Sequence, residues 1–190
     1  MIKNIAIFAS GSGSNAEKII QHFMQQNDIQ VVCLFTNKKE AYALERAKKY
    51  HIPNFFFPFS EWKNAEPIIQ KLKEFNVDYI ILAGFLLKIP QSLIDLYPNR
   101  IINIHPALLP KYGGKGMYGD YVHQAVIEAK EKESGITIHY VNENYDEGKT
   151  IFQAKCQVLP TDTPDSLAEK IHQLEHKHFP EIIEQVIKAQ

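Results

Sequence analysis

Five short apolar runs, each followed by a segment with helical spacing, constrain this chain more than any other feature of it. Ile5-Ala6-Ile7-Phe8-Ala9, Val31-Val32-Cys33-Leu34-Phe35, Phe55-Phe56-Phe57, Tyr79-Ile80-Ile81-Leu82-Ala83 and Ile101-Ile102-Asn103-Ile104-His105 are strand-length and almost wholly apolar. Such runs read as strands buried on both faces. Between them, Ala16–Gln25 sets Ile19, Ile20, Phe23 and Met24 at helical spacing, and Ala41–Tyr50 does so with Ala43, Leu44 and Ala47. Asn64 is expected to cap a helix running through Phe75, with Pro67 tolerated in its first turn, and Pro90–Tyr97 a shorter one. Alternating strands and helices specify the α/β class: a mostly parallel twisted sheet with helices on both faces.

The C-terminal third changes pattern. Lys111–Asp120, with Gly113, Gly114, Gly116 and Gly119 and no apolar period, reads as a mobile loop, and Tyr121–Lys130 as a helix. In Gly135–Val141, Ile136, Ile138 and Tyr140 alternate with Thr137 and His139, the period of a strand. With Ile151–Leu159 it predicts a C-terminal hairpin, antiparallel in part, around the polar loop of residues 142–149. Thr163-Pro164 begins a helix expected to end near Phe179, Pro180 starting a final short one.

A chain of 190 residues suits one domain over residues 1–190. Its net charge of −1, with both signs scattered, advertises no surface for nucleic acid or anionic lipid. The N-terminus lacks a signal-peptide layout and no apolar run is membrane-length. Cys33 and Cys156 lie in strands without metal-ligand spacing, as reduced thiols of a cytoplasmic protein do.

Candidate chemistry concentrates at the end of the fifth strand. Residues two apart share a strand face, so Asn103 and His105 project together while Ile102 and Ile104 face away, and Pro106 ends the strand. A carboxamide donor beside a group that titrates near neutrality suits reactions at a carbonyl. A turn asparagine and a satisfied histidine at a strand end would look the same in isolation. The loop Ser10-Gly11-Ser12-Gly13-Ser14-Asn15 leads from a strand into a helix start, an anion site most naturally used for phosphate, or simply a serine-rich turn. Its last five residues with Ala16 also spell G-x-G-x-x-A, but a dinucleotide site needs an acidic residue after the second strand, where Thr36-Asn37-Lys38-Lys39 stand. Ligands of such sheets collect at the carboxyl ends of the strands, and the loop Ser10–Asn15, the turn Gly84–Ile89 and the Asn103/His105 pair all fall there. His172-Gln173-Leu174-Glu175-His176 fits a zinc-peptidase pattern, yet no third ligand is supplied, so no metal is expected.

Taken together, Asn103-x-His105-Pro106-x-Leu108-Leu109-Pro110, Asp146-Glu147-Gly148 and Ser10-Gly11-x-Gly13-Ser14-Asn15 resemble the folate-dependent formyltransferases, most closely the small purine-synthesis branch that acts on glycinamide ribonucleotide. Leu82-Ala83-Gly84-Phe85 and Glu175-His176 support the resemblance, which spans almost the whole chain. It implies a Rossmann-like fold and formyl transfer from 10-formyltetrahydrofolate, a cosubstrate, without metal. It further implies that Gly13, Ser14 and Asn15 hold the substrate phosphate, that His172 and Glu175 meet the ribose, and that Leu86, Leu87, Lys88 and Ile89 clasp the folate pterin together with Asn142, Glu143, Asn144, Tyr145 and Asp146. Asn103, which also contacts folate, would donate to the oxyanion, His105 act as general acid, and Asp146 raise the His105 pKa. Ala107 departs from the Ser of many relatives, and Leu87-Lys88 from their Arg-containing version. The expected partners are small molecules, with no nucleic acid or membrane, in a monomer or homodimer. A sugar-nucleotide N-formyltransferase is the enzymatic rival and a non-catalytic nucleotide-binding module the other. Formyltransferases of initiator tRNA and formyltetrahydrofolate hydrolases carry an additional domain not expected here.

Overall fold

The computed structural model describes residues 2–189. Among these residues, seven strands form one sheet in the order β3-β2-β1-β4-β5-β6-β7. They are β1 (Lys3–Phe8), β2 (Ile29–Thr36), β3 (Asn54–Phe56), β4 (Tyr79–Leu82), β5 (Ile101–His105), β6 (Glu133–Tyr140) and β7 (Thr150–Gln157). The first five pair in parallel, and β6 and β7 are antiparallel, as the change in sequence pattern predicts.

Two apolar layers sandwich the sheet. On one face Ile5, Ile7, Ile102, Ile104, Ile136 and Ile138 pack beneath α1 (Ser14–Phe23), α2 (Ala43–Lys49), α6 (Asp120–Glu128) and α7 (Pro164–Lys188). On the other, Ala6, Phe8, Phe35, Ile80 and Ile101 meet α3 (Phe59–Trp62), α4 (Glu66–Glu74) and α5 (Gln91–Leu96). The even and odd residues of β1 and β5 therefore go to different layers, which is why the end of β1 reads as an unbroken apolar run and β5 is interrupted only at Asn103 and His105. The second layer is aromatic: Phe8 stacks on Phe35 with ring centroids 4.9 Å apart and meets Phe85 edge-on at 5.4 Å. This cluster supports the turn after β4, and Trp62 Nε1 donates to the Lys88 carbonyl at 2.8 Å.

Three local expectations need correction. The helix α3 has no counterpart in the sequence reading, because one turn is too short to show a period. The N-cap of α4 is Ala65 in the left-handed conformation, not Asn64; the Asn64 side chain only reaches the Glu66 N–H at 3.5 Å. Finally, α7 does not break at Pro180 but runs 25 residues to Lys188. Pro180 removes one intrahelical donor. The helix continues because Phe179, Ile182, Ile183, Val186 and Ile187 extend its buried stripe. Its start is as expected, with Thr163 Oγ1 accepting from the Ser166 N–H and Pro164 at the first helical position.

Candidate active site

From β1 the chain winds outward to β2 and β3, then returns to place β4 on the other side of β1. The loops after β1 and β4 diverge at that switch and open a crevice. A cavity of about 540 Å³ lies there, lined by residues 11–15, 83–86, 103–106 and 114–119 with His123, Tyr145, Asp146, His172 and Glu175. Ser10 ties its two walls: its N–H donates to the Gly84 carbonyl at 3.0 Å, and its Oγ accepts from the Leu86 N–H at 3.0 Å while donating to Asn37 Oδ1 at 2.7 Å.

At one end sits the start of α1. Gly13 caps it without any side-chain hydrogen bond, so the first-turn N–H groups have no intrahelical partner beside a cavity that residues 11–15 line. Gly13 has φ +72°, and a Cβ there would lie 2.6 Å from Ala43 Cα, so only glycine brings α2 this close. Next along the cavity, Asn15 Nδ2 donates to Glu175 Oε2 at 2.8 Å. Glu175 is 6% exposed, and burial raises its pKa despite the Asn15 hydrogen bond and the nearby His172. His172 stands one turn earlier on α7, its ring nearly parallel to that of His176 with centroids 6.2 Å apart.

At the other end β5 delivers Asn103 and His105 to the cavity from one face, as the strand period predicts. His105 Nε2 donates to the Tyr112 carbonyl at 2.7 Å, which leaves Nδ1 3.5 Å from Asp146 Oδ2. Asp146 arrives from the hairpin loop with φ +56°. The nearby Gly148 packs so tightly on β6 that a Cβ would fall 1.6 Å from the Tyr140 carbonyl oxygen. That contact gives the Asp-x-Gly pattern its physical sense: the glycine presses the loop against the strand, and the aspartate is carried over the site. Asp146 Oδ2 also accepts from the Gly114 N–H at 2.9 Å.

The expected electrostatics of His105 are corrected here. Burial lowers its pKa, and although Asp146 and the Tyr112 carbonyl push it up, the net shift is downward, His139 adding to it. Asp146 does act in the expected sense, but desolvation of a ring only 4% exposed outweighs it. Asp146 itself is pushed up by burial and more than brought back by His139, His105 and the Gly114 N–H, so it stays ionised.

His139 escaped the list of candidates. Its Nδ1 donates to the Tyr140 carbonyl at 2.8 Å, so Nε2 accepts from Asn103 Nδ2 at 3.1 Å and stands 3.6 Å from Asp146 Oδ1. The Asn103 amide is thereby oriented, with its second N–H left for a ligand. Thr137, likewise missed, donates to the Ala107 carbonyl at 2.7 Å and accepts from the Leu109 N–H at 3.0 Å, holding the chain after β5. A signal existed for both, since Thr137 and His139 occupy the non-apolar phase of β6, and they pair with His105 and Asn103 in register.

The two segments assigned to folate do face each other. Leu86, Leu87, Lys88, Ile89, Asn142, Asn144, Tyr145 and Asp146 line a pocket of about 70 Å³ together with Asn103 and His139. Glu143 instead joins Leu87, Lys88, Ile89 and Tyr145 around a hollow of about 410 Å³ beside Phe59 and Trp62. Lys88 Nζ lies 5.9 Å from the Tyr145 ring centroid across that gap. No group of three or more metal-ligating side chains occurs among the described residues.

A family model described as formyl transferase matches residues 3–183. The phosphoribosylglycinamide formyltransferase of Bacillus subtilis is 39% identical over 191 residues, covering 98% of this chain and 95% of that protein. The chloroplastic phosphoribosylglycinamide formyltransferase of Arabidopsis thaliana is 42% identical over 95% of this chain, which spans 64% of the length of that relative. Among solved structures, the phosphoribosylglycinamide formyltransferase of Bacillus halodurans superposes with a TM-score of 0.89 at 36% identity, over 99% of this chain and 97% of that one. Fold, crevice and sequence agree, and the chain belongs to the formyl transferase family.

Proposed function

We propose that this chain transfers the formyl group of 10-formyltetrahydrofolate to the primary amine of glycinamide ribonucleotide, in purine biosynthesis. The names of its relatives support the acceptor. The observation that carries the chemistry is the meeting of Asn103, His105 and Asp146 in one cavity, between the α1 start and the segments of residues 86–89 and 142–146. In this reading Gly13, Ser14 and Asn15 hold the phosphate, His172 and Glu175 the ribose, and residues 86–89, Asn103 and 142–146 the folate.

The amine attacks the formyl carbon directly, and charge grows on the formyl oxygen. Asn103, its other N–H held by His139, donates to that oxygen. His105 rests neutral with Nδ1 open, takes the proton that the attacking nitrogen sheds, and becomes an imidazolium beside ionised Asp146. It then acts as the general acid for the departing folate nitrogen. Resting neutrality is what the lowered pKa favours, and Asp146 supports the charged form only when it is needed. We further place the activity in a single domain over residues 1–190, in the cytoplasm, as a monomer or homodimer. No helix among the described residues is long and apolar enough to cross a membrane.

The test is to follow folate absorbance with 10-formyltetrahydrofolate alone, with glycinamide ribonucleotide added, and with an amino-sugar nucleotide added. A change only with glycinamide ribonucleotide is expected. Turnover with the sugar nucleotide alone would transfer the assignment to that rival, and none with either amine would leave a binding module.

A further inference from the structure

His123 occupies a place in the cavity that the roles above do not use. It lies on α6, lines the same cavity as His105, His172 and Glu175, and is only 2% exposed. Its Nδ1 is wholly buried without a hydrogen-bond partner. A polar atom left unpaired in the interior is costly, and native structures rarely keep one unless a bound group satisfies it. The ring is close enough to both His172 and His105 to feel their charge, and all three line the one cavity that holds the ribose end and the reacting end. Burial and these two neighbours hold its pKa down against the pull of Asp120.

Glycinamide ribonucleotide has one polar group between its ribose and its amine: the linking amide, with one N–H and one carbonyl. A neutral imidazole offers one acceptor and one donor. We propose that His123 is a substrate-binding residue that hydrogen-bonds this linking amide and so aligns the amine with the formyl carbon. The inference rests on the acceptor named under Proposed function. A cationic side chain in this place would repel an imidazolium at His105, whereas a neutral ring does not.

The experiment compares wild type, His123→Phe and His123→Gln, each with glycinamide ribonucleotide and with a carbocyclic analogue whose linking amide is replaced by a two-carbon chain. His123→Phe is expected to raise the KM for the ribonucleotide by roughly tenfold, the size of one lost hydrogen bond. The KM for 10-formyltetrahydrofolate stays unchanged, and His123→Gln, which keeps a donor and an acceptor, stays within about threefold of wild type. The analogue should bind wild type and His123→Phe equally well, so that the two changes are coupled. The melting temperature of His123→Phe should match or exceed that of wild type, because the substitution removes an unpaired buried nitrogen. Equal losses on both substrates, or a fall in melting temperature that accounts for the loss, would reduce His123 to a structural residue. If His123→Phe does not fold, His123→Leu, which also lacks a donor and an acceptor, takes its place with the same two substrates and the same expected coupling. Failure of wild type to use the ribonucleotide at all defeats the function reading instead, and is seen before any variant is made.

Discussion

Glu175 and Asp146 are two carboxylates lining one cavity, and their surroundings drive them in opposite directions. Glu175 is raised by burial, with a single amide donor from Asn15. Asp146 is less deeply buried, its side chain 12% exposed; burial still pushes it up, yet two imidazoles and a backbone N–H lower it overall. Burial alone therefore does not set a carboxylate's character; neighbours that donate to it or can take up positive charge do. The ribose end is suited to a group that exchanges hydrogen bonds with hydroxyls, and the reacting end to a fixed negative charge beside a histidine that must become positive.

The sharpest way to break this comparison is to neutralise the reacting end. His105→Ala and Asp146→Asn should each lower kcat by about 10²–10⁴-fold, as loss of a proton-transfer group does, with circular dichroism unchanged. If either variant keeps full turnover, the division of labour is wrong. Neutralising the other end should act on binding instead. Glu175→Gln is expected to raise the KM for glycinamide ribonucleotide by about tenfold, the size of a lost hydrogen bond to a charged group, with a smaller change in kcat; a kcat effect as large as that of Asp146→Asn would erase the distinction.

Stability against pH separates the two carboxylates without any substrate. Asp146, lowered in the folded state, lends stability above its unfolded pKa and forfeits it as pH falls through the folded value. Glu175, raised, does the reverse: its contribution is whole below the unfolded pKa and is lost as pH rises through the folded one. At neutral pH, Asp146→Asn should lower the denaturation midpoint and Glu175→Gln should raise it, and both differences should shrink in acid. Midpoints that move together would contradict the opposed shifts.

Two smaller effects sharpen the picture. The acidic limb of kcat/KM should lie below the ordinary histidine value, because His105 is lowered. Residual activity of Asp146→Asn should show the limb at still lower pH, since its main opposing charge is gone; a shift upward would reassign the titrating group. Trp62→Phe removes the donor that holds the Lys88 carbonyl and should raise the KM for the formyl folate by roughly threefold, leaving that for the ribonucleotide unchanged.

Much of the site was legible because strand geometry is so regular. Asn103 and His105 had to share a face of β5, and Thr137 and His139 had to share one of β6, whatever the tertiary contacts. The glycine-rich turn after β1 announced an anion site for the same reason: a strand leading into a helix exposes N–H groups. Less visible was anything that depends on close approach. A one-turn helix carrying Trp62 shows no period, and Pro180 looked like a break because local propensity ignores the buried stripe beyond it.

The amino-acid sequence by itself determined the α/β class, the switch between parallel and antiparallel strands and the residue types of the reaction, because periodicity and covalent turn chemistry act over a few residues. Only the tertiary structure decided the charge states. It set an imidazole and a carboxylate 3.5 Å apart under desolvation that outweighs their attraction, and it oriented the Asn103 amide through a histidine 36 residues away. Those outcomes turn on distances and solvent exclusion between segments remote in the chain, and no local pattern encodes them.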